Sequence, residues 1–541
     1  MAKDGRRLKR DVSWLETGGL LVLVGLFQTW AAGHYSVFDD EAFSCLRYTL
    51  PPGEMVSALW HGAEPDPPLY YLMQNLWVHW FGVGPLGLRS LSIVLFLAGL
   101  VALRAAARNW YGETMARWTL WIAALHPAHL FFGFAGRWYA AMFCATAVVL
   151  YVTSCIERAA SAGRPSRGWW IAWGVAAAVA CYVNYFGPVV VGLIWLMMLR
   201  GRETSAAPSA GEDARRYADG RSGGGPIHLG RYGAGRYLAA AVAVALYAPW
   251  APAFWRQVGT FPSVGGPWQE SAASLARTLA ALAAGNLASV RAWWVWLPLA
   301  AAFAALVVTA LRHWQMVRRP AMVALGCLLA GTLTRVMIDK YVLAFSGIVC
   351  LAAVRAVTMS HAARERLLPR VVLVGLAIGW LGCGVNLVTQ KNWSSLRWLD
   401  PFEDVVMANL GAADAPAVGD WVVTHPAARY YIALAQAADA PGAWRVDAAK
   451  WRACIEQRGP MRPEQMLERL KDVGPERVLT IRTAGFADDA DWARLEEALG
   501  EKYTLERERG YLADPDAALK DRIDPRYAHP VWRIAVQIWK R

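Results

Sequence analysis

The chain has 541 residues, of which 56% are hydrophobic, 29 are tryptophan and only 18% are charged, and its formal net charge is +13. An ordinary soluble domain is nearer half apolar with about a quarter of its residues charged, so this balance points to a membrane protein and excludes disorder, collagen and coiled coil. A mean hydropathy of +0.25 is nonetheless low for a chain lying wholly in a bilayer. The polar mass is at the end: residues 391–541 hold 22 Lys/Arg against 24 Asp/Glu, and residues 1–390 hold 33 against 18. The basicity therefore belongs to the apolar part and is read as loop topology, not as a nucleic-acid surface. Eight cysteines with no CxxC and no zinc spacing make neither a disulfide framework nor a structural metal site.

In chain order, the first apolar run is Trp14 to about Ala32, after a start carrying Lys3, Arg6, Arg7, Lys9 and Arg10. At about 20 residues it is long enough to span and is read as a retained first helix. Further apolar runs lie at about 85–103, 118–135, 138–156, 168–185, 187–200, 237–255, 292–311, 320–336, 342–359 and 371–389, making eleven candidate spans. With the N-terminus inside, inner segments collect 25 Lys/Arg and outer segments eight. That asymmetry fixes one orientation, and an odd number of spans puts the C-terminal part outside. The expected location is a bacterial cytoplasmic membrane. The inner loop at about 201–235 is rich in Gly, Ser, Ala and Arg and reads as flexible.

The longest outer loop, about 33–84, carries Asp39, Asp40, Glu41, Glu54, Glu64 and Asp66, six of the eighteen acidic residues in the first 390. Apolar spacing at Ala42–Leu50 and Leu69–Phe81 predicts two short surface helices, the second opened by Pro67-Pro68. A carboxylate near the bilayer surface can act as a general base or bind a divalent cation. The bland alternative for Asp39-Asp40-Glu41 is a helix cap, because Asp favours that position. Arg89, Arg137 with Tyr139, and Lys340 with Tyr341 stand at the outer mouths of spans. Such residues often only snorkel to headgroups. Together they would supply the cations that hold a lipid phosphate while a base deprotonates an acceptor.

In order, these residues resemble the integral-membrane GT-C glycosyltransferases, in particular bacterial relatives of the protein O-mannosyltransferases and the lipid A aminoarabinose transferases. The resemblance rests on Asp40-Glu41, Pro67-Pro68-Leu69-Tyr70-Tyr71, Gly82 leading to Arg89, Pro127 with Arg137-Trp138-Tyr139, Asn184-Tyr185-Phe186-Gly187, Tyr247-Ala248-Pro249-Trp250 and Lys340-Tyr341, across residues 14–390. Departures are Glu64-Pro65-Asp66, which lacks the family's histidine, Asn184 in place of a histidine and Lys340 in place of an arginine. The resemblance implies an all-α polytopic bundle of about eleven spans and a sugar donor on a polyprenyl phosphate. It implies inverting transfer with Asp40 as base, aided by Glu41 and Asp39. Arg89, Arg137, Lys340 and Tyr341 would hold the donor phosphate, and Glu64, Asp66, Tyr70 and Tyr139 would support the acceptor. The acceptor is left as a lipid, a glycan or a protein. No nucleotide would be needed, no cofactor is assigned, and a divalent metal through Asp39, Asp40 and Glu64 is left open.

From about 391 the composition turns soluble. Trp421–Thr424, Val478–Ile481 and Val531–Ile538 read as strands, and Pro426–Gln436 and Ala490–Leu499 as helices, a small α/β domain at 391–541. It would cover the site, recognise the acceptor or serve only as a structural lid. The competing functional classes are a transporter of lipid-linked sugars, which needs ionisable groups in mid-span, and a non-catalytic membrane protein whose outer loop binds a partner.

Overall fold

A computed structural model describes residues 2–162, 166–199, 233–258, 268–285, 287–288, 292–334, 339–362, 367–389, 421–424, 426–437, 446–457, 477–483, 489–512 and 533–541. The side chains of Asp39 and Lys340, all of Arg335 and the inner loop from 201 to 232 lie outside the described residues. Ten helices open the fold: α1 (Ala2–His34), α2 (Asp39–Tyr48), α3 (Pro52–Trp60), α4 (Pro68–Phe81), α5 (Pro85–Tyr111), α6 (Glu113–Leu125), α7 (Pro127–Phe132), α8 (Tyr139–Ser161), α9 (Arg167–Val183) and α10 (Gly187–Leu199). Further helices cover Gly233–Tyr247, Ala251–Val258, Trp268–Ala284, Trp293–Arg312, Trp314–Thr334, Leu343–Ala362 and Leu367–Thr389.

Proline and glycine set several of these boundaries. Pro52, Pro68 and Pro85 each sit in the first turn of their helix, where the missing N–H is not needed. Gly82 and Gly112, at φ 77° and 86°, end α4 and α5. Helix α3, opened by Pro52, is not among the elements predicted from sequence.

Among the described residues, six helical stretches are long and apolar enough to cross a membrane: Trp14–His34, Pro85–Tyr111, Tyr139–Ser161, Ala234–Gln257, Trp293–Arg312 and Leu367–Val388. Gly187–Met198 and Leu343–Met359 are apolar but shorter. The eleven expected runs all carry helix, but not all are full spans. The run at 118–135 divides into α6 and α7 at His126-Pro127, because a residue before proline is driven out of the helical region. Val22, Leu26, Val244, Leu297 and Leu381 are among many large apolar side chains left exposed. An apolar surface of that extent suits lipid, and the chain is a multi-pass membrane protein.

The bundle packs closely where small residues allow it. At Gly99 of α5 a Cβ would fall 2.6 Å from the Phe143 ring of α8, and Phe96 and Phe143 meet at 5.4 Å beside it. At Gly87, two residues before Arg89, a Cβ would fall 2.4 Å and 2.5 Å from the carbonyl oxygens of Gly82 and Phe81. Gly87→Ala is expected to cost about 1–3 kcal/mol by overpacking, seen as a lower melting temperature of the detergent-solubilised protein.

The C-terminal residues form α/β structure. Strands β1 (Trp421–Thr424), β2 (Arg477–Thr483), β3 (Thr504–Leu512) and β4 (Arg533–Lys540) make one sheet in the order β1-β2-β4-β3. The β1–β2 pair is parallel and the others are antiparallel. Helix Asp489–Lys502 packs Trp492, Leu495 and Leu499 with Val478, Tyr503 and Trp539. Helices Pro426–Ala437 and Ala448–Gln457 instead share the main core with the membrane bundle through Tyr430, Tyr431 and Trp451. The second of these helices and β3 are not predicted from sequence. Strand β3 is an edge strand with a bulge between Leu505 and Arg507.

Candidate functional site

The acidic triplet occupies the first turn of α2, following Phe38. Carboxylates are favoured there by the helix dipole, and Glu41 turns back to accept the Phe38 N–H at 3.2 Å. The capping role weighed for the triplet is thus filled by Glu41. Its carboxylate also meets Arg89: Nε to Oε1 at 2.9 Å and Nη2 to Oε2 at 2.6 Å. Both side chains are fully buried. The other guanidinium hydrogens go to the carbonyls of Ala32 (2.9 Å), Tyr35 (2.6 Å) and Ser36 (2.7 Å).

All five Arg89 donors are therefore engaged within the chain. This differs from the phosphate contact expected of Arg89: its guanidinium braces the turn that leads into the triplet. Glu41 likewise faces Arg89 and the Gly136 N–H rather than Asp40 or an acceptor.

A second cluster forms around Arg137, which is 7% exposed. Its Nη1 donates to Glu64 Oε2 at 2.9 Å, to the Tyr71 hydroxyl at 3.1 Å, to Ser44 Oγ and to the Asp40 carbonyl at 3.4 Å. Its Nη2 reaches Asp66 Oδ2 at 3.4 Å. Burial opposes the Arg137 charge, but the oxygens of Tyr71 and Glu64 outweigh it and hold the guanidinium well above its ordinary pKa. Tyr71 donates to Glu64, and burial pushes its phenol well up, so it stays a donor. Arg137 Nε is buried and has no partner among the described residues.

Asp66 Oδ1 accepts from Asn184 Nδ2 at 3.1 Å, and Asn184 Oδ1 accepts the Phe186 N–H at 2.9 Å. The Tyr341 phenol is raised by burial and then by the Asp66 charge. Tyr341 lies against Trp138 at 5.0 Å between ring centres. The C-terminal end of α9 and the loop between α1 and α5 thus meet at the Asp66 carboxylate, close to Tyr341 in the 3-10 turn Asp339–Val342.

Asp40 is more exposed than Glu41, Glu64 and Asp66. Its carboxylate is part-exposed, and Oδ2 accepts from the Tyr139 hydroxyl at 3.4 Å. Glu41, Glu64 and Asp66 are all at or below 5% exposed and face cations.

Tyr70, expected at the site, turns instead to Ser92 Oγ (3.0 Å) and Gln74 (3.3 Å). Its neighbour Tyr71 enters the cluster because adjacent helical residues point about 100° apart. Ser44, Tyr71 and Asn184 are the members not chosen from sequence. Tyr71 and Asn184 lay within the motifs, whereas nothing local marked Ser44. Among the described residues no group of three His, Cys, Asp or Glu could hold a metal ion. Glu64, one of the three carboxylates considered for that role, faces Arg137, Ser44 and Tyr71.

No protein-family model and no curated protein matches the chain. Among solved structures, the chain is similar to ArnT from Cupriavidus metallidurans in the apo state, with a TM-score of 0.54 and 15% identity, covering 98% of this chain and 98% of that one. The chain has the GT-C fold. A structure of ArnT from the same organism bound to undecaprenyl phosphate aligns with a TM-score of 0.49, 15% identity and 97% coverage of both chains. The Archaeoglobus fulgidus oligosaccharyltransferase in complex with Zn and sulfate aligns at 0.44 with 11% identity, over 85% of this chain and 68% of that one. At these identities the likeness establishes the fold alone. Within that GT-C fold, the Asp40 turn and the Arg137 cluster are properties of this chain's own residues.

Proposed function

We propose that the chain is a membrane glycosyltransferase that moves a sugar from a polyprenyl-phosphate carrier to an acceptor hydroxyl, with inversion, at the outer face of a bacterial cytoplasmic membrane. The N-terminus would lie inside and the 391–541 domain outside. The observation that carries this reading is the contrast at the acidic loop. Glu41, Glu64 and Asp66 are buried, while Asp40, whose carbonyl accepts from Arg137 at 3.4 Å, keeps a part-exposed side chain beside Tyr139.

In the proposed reaction the acceptor O–H proton passes to Asp40 as the acceptor oxygen bonds to the anomeric carbon. The bond from that carbon to the phosphate oxygen breaks, and polyprenyl phosphate leaves with the electron pair. Arg89 is closed to the leaving phosphate, so the proposal assigns it to Lys340, beside Tyr341, and to the open Nε of Arg137. Glu64 and Asp66 orient Arg137, and Tyr139 orients Asp40. The acceptor class stays open among lipid, glycan and protein.

A transporter reading has less support. In the six spanning stretches the ionisable side chains lie toward the ends, as with Arg89, Arg104 and Arg108 in Pro85–Tyr111, not at the middle where a transport path needs them.

The test is sugar transfer by the purified protein in vesicles supplied with polyprenyl-phosphate pentoses and hexoses, together with mass spectrometry of surface lipids and glycans from a deletion strain. Formation of glycosylated product and free polyprenyl phosphate supports the reading; movement of the donor across the vesicle without transfer refutes it. Arg137→Lys keeps the charge but cannot serve Glu64 and Asp66 from separate nitrogens. Its kcat/KM is expected to fall about 10- to 100-fold, since small misplacements at a reacting centre are costly.

A further inference from the structure

The backbone from Tyr35 to Phe38 leads directly into the acidic triplet, and its polar groups are held one by one. Arg89 takes the carbonyls of Tyr35 and Ser36, and Glu41 takes the N–H of Phe38. The Val37 N–H is taken by a residue almost 400 positions away: it donates to the Tyr431 hydroxyl at 2.5 Å, in the Pro426–Ala437 helix. The neighbouring Tyr430 hydroxyl donates to the carbonyl of Val83, and the Val83 N–H donates to the Val446 carbonyl at 2.9 Å. Val83 lies just ahead of α5, which carries Arg89 near its start.

The two tyrosines therefore bind the same two segments that the Glu41–Arg89 pair joins. Both are at or below 3% exposed. The far end of α2 is held from the same side: Arg452 donates to the Leu46 carbonyl at 3.1 Å and to Thr49 Oγ1 at 3.5 Å. Trp451, next to it, donates to the Tyr430 carbonyl at 3.3 Å. Helix α2 is thus gripped at both ends by helices of the C-terminal region.

We propose that Tyr431 is a positioning residue for the transfer reaction, setting the α2 turn, and hence the Asp40 carboxylate, from the C-terminal region. This rests on the reading of Asp40 as the base. The C-terminal region would then be part of the catalytic apparatus without touching substrate. The physical reason is that a buried N–H left without an acceptor is unfavourable, so the turn relaxes toward another partner when the hydroxyl is removed. Movement of about 1 Å at a catalytic group lowers rate far more than it lowers substrate binding.

The experiment uses the full chain in vesicles with a polyprenyl-phosphate sugar donor that the wild type accepts, and compares it with Tyr431→Phe, which keeps the ring and deletes only the hydroxyl. The expected result is a kcat lowered roughly 10- to 100-fold with the donor KM within about twofold. Hydrogen exchange should also be faster in peptides covering 35–41, while α8 stays protected. A purely structural role would lower the folded fraction and leave kcat per folded molecule unchanged. Unchanged kcat and unchanged exchange at 35–41, with transfer intact in the wild type, overturn this inference alone. Absence of transfer by the wild type overturns the reaction reading and this inference with it. Should Tyr431→Phe not fold, Arg452→Met carries the same comparison at the other end of α2, with the same two deciding outcomes.

Discussion

Asp40→Asn is expected to reduce sugar transfer by about 10²- to 10⁴-fold, the contribution usual for a positioned general base, while the protein inserts and folds as before. The expectation follows from how differently the loop carboxylates are held. The Asp40 side chain is part-exposed and meets Tyr139 at 3.4 Å, and an amide oxygen can accept that same hydrogen bond. The stability change should therefore stay within about 1 kcal/mol, as for most substitutions outside the core. Glu64→Gln is the informative contrast, because Glu64 is buried against Arg137, Tyr71 and Ser44. Removing its charge leaves Arg137 under-compensated and should lower stability by roughly 3–5 kcal/mol, the usual range for breaking a buried pair. Transfer rate per folded molecule, measured beside the melting temperature, separates the two. If Asp40→Asn retains full transfer when correctly inserted, the base lies elsewhere.

The second large effect belongs to Arg89. Arg89→Met should destabilise the protein by about 3–5 kcal/mol, because it strands the fully buried Glu41 carboxylate. It also frees the carbonyls of Ala32, Tyr35 and Ser36. Adding Glu41→Gln should recover part of that loss, since a neutral amide needs no cation and its single oxygen can still accept from either Gly136 or Phe38. Equilibrium unfolding in mixed micelles measures both variants. A single Arg89→Met variant as stable as the wild type would show that the pair braces nothing, and would return Arg89 to the residues available for a phosphate.

Much of the candidate site was legible because the loop between the first two spans concentrates acid in a chain otherwise short of charge. Asp40, Glu41, Glu64, Asp66 and Arg137 stood out for that reason, and Pro67-Pro68 announced the helix that carries Tyr71. Their division of labour was not legible. Glu41 and Arg89 lie 48 positions apart, and nothing local says that the arginine will be consumed by carbonyls before a ligand can reach it. Asn184, noted as a departure from the family pattern, turns out to hold Asp66. Tyr71 joins the Arg137 cluster and Tyr70 turns to Ser92, since a motif does not say which of two adjacent residues faces a given neighbour.

The sequence by itself determined the membrane class and most helices of the bundle, and it marked the acidic loop as the candidate site. Those properties follow from hydrophobic run length, proline position and charge asymmetry, all of which are local or additive along the chain. Only the tertiary structure decided which carboxylate is left part-exposed, which arginine keeps an open donor and which distant tyrosines seat the loop. Those outcomes depend on hydrogen-bond partners brought together from far apart in the chain, and a buried polar group's chemistry is set by the partners that reach it.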